Sequence, residues 1–269
     1  MHDEGLDLTQ PVNFRSERER RAAIAFFNAA FRAEESGLRQ AHELAAELEA
    51  ADPELAETLR LYGDEEGWHR ELLTSFLKHI GGDVRPMGRV TGTFYELYGR
   101  AKRTESIVLV NLMFETIGST TYRMALARVS EPTVRQMLTI LTRDESFHVP
   151  LNVHFLRLAM QGKSSLDRAR LRVLFQLMFV ALIASAYASR RRAKDFDSIE
   201  FRELARAYAE HLAALFSREP ELGFTAPGWL LALLGIDRRR LAHSDAARVT
   251  SVEEAERAID RSRMAVSAL

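Results

Sequence analysis

The chain carries two copies of one short pattern, Glu65-Glu66-Gly67-Trp68-His69 and Asp144-Glu145-Ser146-Phe147-His148. Both read acid-Glu-x-x-His. Residues three apart lie on one face of a helix, so each copy aims one carboxylate and one imidazole at the same point. The chain has eight histidines, and only His69 and His148 have a glutamate three residues earlier. Each copy is also in phase with an apolar stripe. On helix two the stripe is Leu55, Leu59, Tyr62, Glu66, His69, Leu73, Phe76, Ile80; on helix four it is Val134, Leu138, Leu141, Glu145, His148, Leu151, Phe155. Charged and titratable groups at such positions are costly to bury unless something pairs with them.

The rest of the chain predicts an all-α fold. Alternating strand patterns are scarce, and Gly and Pro number 14 and 7 in 269 residues. Helix one is expected over about 18–50, with the stripe Ile24, Phe27, Phe31, Glu34, Leu38, Ala41, Ala45, Leu48. Glu34 lies within that stripe, and Glu35 is the alternative that a modest rotation would turn inward. Helix two is expected over about 53–80, closed by Gly81-Gly82, and helix three over about 104–129. In helix three, Glu115 follows the apolar block Ile107 to Phe114, and Tyr122 lies two turns on. Residues 92–103 read as a short helix or a lead-in. Helix four is expected over about 132–160, with Pro150 inside the pattern predicting a kink near His148.

Helix five, about 166–192, is nearly all apolar from Val173 to Ala188 and is flanked by arginines. A membrane span is one reading, but the run is shorter than the roughly 20 residues of a typical span and contains Gln176 and Ser185. A central helix buried on several sides is the expectation. The Arg190-Arg191-Arg192 flank reads as a solvated helix end. Helix six (about 198–217), a short apolar helix (228–236) and an amphipathic helix from about Ser251 complete a single domain. Its core bundle covers about 18–160, with C-terminal helices over about 166–266.

Composition narrows the chemistry. The chain has no cysteine, which excludes thiolate metal sites, iron–sulfur ligation by the chain and a cysteine nucleophile. The formal net charge is -1, which gives no support to nucleic-acid binding. The N-terminal stretch is polar, without an apolar signal core, so the expected location is cytoplasmic.

In chain order the four core helices supply Glu34, then Glu66 with His69, then Glu115, then Glu145 with His148. The gap is 32 residues in the first half and 30 in the second, as two antiparallel helices joined by a short loop require. Four carboxylates neutralise two divalent cations, and oxygen with imidazole donors suits iron or manganese. Glu66 and Glu145 are the expected bridging carboxylates; Asp144 and Glu65 are candidates to hydrogen-bond the histidines, or are solvated acids.

This pattern resembles the ferritin-like superfamily of non-haem di-iron carboxylate proteins, over about residues 20–160. Within it the spacings are similar to those of aldehyde-deformylating oxygenases and rubrerythrins. An arylamine N-oxygenase would have a further histidine where this chain has Leu141. The resemblance implies a ferritin-like four-helix bundle holding two Fe ions, with Mn/Fe as an alternative. It implies O2 as co-substrate, an organic substrate, and an external electron donor such as ferredoxin; a homodimer is compatible with it. Its function is then oxidation of a small or lipid-like substrate. The alternative is a ferritin- or rubrerythrin-like protein that binds iron or reduces peroxide. Tyr122 is then either a catalytic residue near the ions or plain core. His211 is either a further ligand or a histidine outside the set. Phe31, Phe114, Phe147 and Phe155 line an apolar pocket or form ordinary core.

Overall fold

The structure, a computed structural model, describes residues 6–86, 103–237 and Leu241. These form α1 (Glu17–Leu48), α2 (Pro53–His79), α3 (Thr104–Leu126), α4 (Pro132–Met160), α5 (Ser165–Asp197), α6 (Phe201–Ser217), a 3-10 turn (Pro220–Leu222) and α7 (Gly228–Leu233). No strand occurs among the described residues. Residues 92–102 and the helix expected from Ser251 lie outside them. The chain divides into two compact units, one of residues 1–102, 128–139 and 192–198, the other of residues 103–127, 140–191 and 199–269.

The first unit is built on the α1–α2 hairpin. Ser16 caps α1 by accepting from the Glu19 N–H at 3.1 Å, and Asp52 caps α2 by accepting from Leu55 at 3.0 Å, with Pro53 in the first turn. The pairs Arg20 with Ile80, Glu34 with His69, and His42 with Asp64 run in opposite directions along the two helices, so the hairpin is antiparallel. α2 ends where Gly81 takes a left-handed φ of 73°. The Gly82 N–H then bonds back to Leu77 O at 2.8 Å, satisfying a carbonyl that the helix leaves unpaired. Edge-to-face contacts lock the core: Phe27 and Phe76 rings lie 4.7 Å apart, and Phe26 lies 5.0 Å from Phe196.

In the second unit α3 packs on α6 through Thr120 with His211 and Thr121 with Tyr208. Phe175 of α5 sits among Phe179, Phe216 and Phe224, at 5.7, 4.7 and 5.2 Å. Arg157 near the end of α4 holds the 3-10 turn by donating to Glu219 at 2.8 Å and to Glu221 at 3.0 Å.

One expectation is corrected here, that α5 is buried on several sides. α4 is a single helix with Pro150 inside it. Proline removes the N–H that would bond the Ser146 carbonyl, yet the helix continues, and Asn152 Nδ2 donates to the His148 carbonyl at 3.0 Å. α5 is not buried on several sides. Phe175, Phe179, Leu182 and Ile183 are inside, while Val173 is 60% exposed and Leu177 66% exposed. The N-terminal stretch from Leu6 to Arg15 is irregular.

Candidate metal centre

In the first unit, Glu34 of α1 and Glu66 and His69 of α2 are all buried, with exposures of 1%, 1% and 0%. Each sits in the apolar stripe of its helix, so the packing that buries the stripe carries the polar group in with it. Glu34 Oε2 stands 3.3 Å from His69 Nδ1. A Glu65 oxygen also comes within 4.8 Å of a His69 ring nitrogen, while Glu65 itself is only half-buried. Glu35 faces outward and pairs with Arg32.

Gly37 has no side chain where one would meet the site. A Cβ built on it would lie 3.0 Å from Glu66 Cδ and 3.2 Å from each of the Glu66 oxygens. α1 therefore passes close to the carboxylate, which sits where an alanine methyl would crowd it. No motif in the sequence marks Gly37. Its signal is a glycine one turn after a buried glutamate in a helix otherwise rich in Ala, Glu and Leu, where glycine costs about 1 kcal/mol relative to alanine.

In the second unit, Glu145 and His148 of α4 are buried, and the Glu115 side chain of α3 is 11% exposed. His148 Nδ1 lies 3.7 Å from Glu145 Oε2 and 3.8 Å from Glu115 Oε2. Those separations are too long for hydrogen bonds. They suit atoms that share an ion, since ligands at about 2.1 Å from a metal stand about 3–4 Å from each other. The 3.3 Å between Glu34 and His69 falls in the same range. Asp144, beside Glu145, accepts from Arg143 Nε at 2.7 Å.

The donor chemistry fits iron. Each half offers two carboxylates and one imidazole, all oxygen and nitrogen donors, and the chain has no thiol to compete. Four carboxylates balance the charge of two divalent ions, which resolves the cost of burying them.

The other candidates fall differently. Tyr122 is buried in α3, 4% exposed. Phe31 and Phe155 are buried, Phe114 and Phe147 half-buried. His211 has its Nδ1 2.6 Å from Thr120 Oγ1 and 3.4 Å from Arg123 Nη2. Burial, and then the Arg123 charge, push its pKa down to about 4, so the imidazole is neutral at pH 7. A neighbouring guanidinium is a poor setting for a second cation, and His211 stands outside both groups of three.

Comparison with known families bears on the same residues. Residues 25–151 match the Rubrerythrin family model. This segment is a ferritin-like domain of the di-iron carboxylate kind. The matched range contains Glu34, Glu66, His69, Glu115, Glu145 and His148. It indicates a di-iron, iron-binding protein, and rubrerythrin-like domains of this kind are often redox enzymes. No curated protein and no solved structure matches the chain. The six residues of the ferritin-like domain thus lie three in each unit, each group carried by two consecutive helices.

Proposed function

We propose that the ferritin-like domain holds two iron ions on Glu34, Glu66, His69, Glu115, Glu145 and His148, and that it oxidises a small or lipid-like organic substrate with O2. The reading rests on one observation above the rest: Glu34 with His69 in the first unit, and Glu115 and Glu145 with His148 in the second, stand at ligand-sharing distances, Glu66 is buried one turn before His69, and the chain has no cysteine. Two ferrous ions held there would supply the redox chemistry towards O2 that carboxylates and imidazoles cannot provide.

The protein's own residues set the conditions. Glu34 lies against His69 Nδ1 at 3.3 Å and orients that imidazole, while Glu115 and Glu145 flank His148 at 3.8 and 3.7 Å, spaced for an ion to sit among them. Burial excludes water from the carboxylates and strengthens their hold on a cation. Tyr122, on the Glu115 helix, is assigned as the residue that hydrogen-bonds or donates an electron near the ions. The helices after residue 160 would cover a substrate pocket.

A second reading has equal support, because the matched family is Rubrerythrin: a protein that binds iron or reduces peroxide, with no organic substrate. One experiment separates them. The protein is loaded with Fe2+ without oxygen, bound iron is counted, and O2 or hydrogen peroxide is then admitted. About two irons per chain is expected from the donor set. Faster oxidation by O2, accelerated further by a long-chain aldehyde or amine, favours the oxygenase. Faster oxidation by peroxide, indifferent to organic additives, favours the second reading. Failure to retain iron sinks both.

A further inference from the structure

We infer that the exposed face of α5 docks on a membrane surface rich in anionic phospholipid. The inference does not depend on the metal. Leu166, Val173, Leu177, Val180 and Tyr187 are exposed at 58%, 60%, 66%, 37% and 54%. Their spacings of seven, four, three and seven place them on one stripe of the helix. From Val173 to Tyr187 the helix has no charged residue on any face. By the rise of a helix this apolar stretch is about 21 Å long. A face turned to water would not be kept clear of charge over that length.

The opposite face decides between crossing a membrane and lying on one. Phe175 and Phe179 are almost wholly buried, with Phe175 packed on Phe179, Phe216 and Phe224. Lipid cannot surround a helix that is already covered along one side, although its length and hydropathy would allow a span. An apolar face outside, protein inside and cationic ends describe a helix lying in the interface plane.

Charge selects the partner. Exposed Arg170 and Arg191 flank the uncharged Val173–Tyr187 stretch at its two ends, with Arg172 also exposed, and Arg191 lies 6.0 Å from the Tyr187 ring. From Leu166 to Arg191 the only acid is Asp167, already paired with Arg103 at 2.8 Å and Arg170 at 3.6 Å. A second copy laid antiparallel about Val180 would set Arg170 against Arg191. Laid parallel, it would set each arginine against itself. Both arrangements are repulsive, whereas lipid phosphates answer both ends at once.

The segment alongside α5 exposes apolar side chains of its own. Arg172 Nε donates to Gly223 O at 3.2 Å, and Gln176 Nε2 donates to Thr225 O. α7 begins three residues later and exposes Trp229 (63%) and Leu233 (76%), four apart on one face. An exposed Trp with an aliphatic neighbour is the pairing that membrane interfaces favour.

The test uses the full-length protein, with vesicles of phosphatidylcholine alone and vesicles about one third phosphatidylglycerol. Cosedimentation is expected to be about tenfold greater with the anionic vesicles, to weaken in high salt, and to shift Trp229 emission to the blue, the shift being absent in Trp229→Phe. The double variant Val173→Glu/Leu177→Glu should lose binding. Arg170→Gln/Arg191→Gln should lose the preference for anionic lipid while keeping the helix content and melting curve of the parent. Failure to bind either vesicle would overturn the inference. So would a dimer in sedimentation velocity that the double Glu variant abolishes, since that assigns the face to a second copy.

Discussion

Gly37 faces the carboxylate of Glu66 across the α1–α2 hairpin, with the missing methyl only 3.0 Å from Glu66 Cδ. At that distance an added Cβ forces the carboxylate to move by a few tenths of an ångström. Gly37→Ala should therefore separate stability from metal binding. Alanine favours the helix by up to about 1 kcal/mol, so the metal-free protein should melt no lower than the parent. Iron affinity should fall several-fold in a competition titration, and Gly37→Val should lose more. Unchanged affinity in both would remove any role for this close approach.

Glu34 and Glu35 are neighbours with opposite surroundings. Glu34 is buried against His69, and Glu35 pairs with Arg32 at the surface. Glu34→Gln should cost at least one bound iron per chain, because a neutral amide cannot balance a cation's charge. Glu35→Gln should leave the iron count unaltered and shift stability by under about 1 kcal/mol, as exposed ion pairs do. Metal analysis after desalting reads both. Equal effects from the two variants would contradict the assignment.

Replacing His148 by Ala removes the imidazole between Glu115 and Glu145. Iron should drop from about two per chain to one or fewer, since the second-unit group loses its only nitrogen donor. Helix content by circular dichroism should stay close to that of the parent. Full retention of both irons would count against His148 as a ligand.

Glu219 gives a pH test away from the metal. It is fully buried, and burial, with Glu221 beside it, pushes its pKa up to about 7 against Arg157, which acts the other way. The folded state thus holds a proton that the unfolded state releases near 4.5. Its contribution to stability is complete below about pH 4.5 and is lost as pH rises towards 7. Melting temperatures of the parent and Glu219→Gln should converge at low pH and diverge in favour of the variant up to about pH 7, then run parallel. A constant difference across that window would show that Glu219 is already ionised when folded.

Much of the fold was legible because periodicity and punctuation are local. The helix stops at Gly81 and the starts at Asp52-Pro53 and Pro132 are written in single residues. The ends drifted where no such residue stands: α5 continues to Asp197, past the expected Arg192, because nothing before Ser198 breaks it. The same stripes placed Glu34, Glu66, His69, Glu145 and His148 among apolar residues, and burial follows from that phase. His211 was ambiguous for the converse reason. Its neighbours Thr120 and Arg123 are 91 and 88 residues away, and no spacing rule connects them.

What the sequence determined by itself is the set of helices and the groups each must bury, because a helix's inward face is fixed by residues three and four apart on the same strand of chain. What only tertiary structure decided is which surfaces find partners. An apolar run such as Val173 to Tyr187 has the same composition whether protein covers one side or all sides, and Gly37 acquires meaning only from the carboxylate that another helix brings to it. Contact across the chain depends on where other elements lie, and that information is not held in any local window.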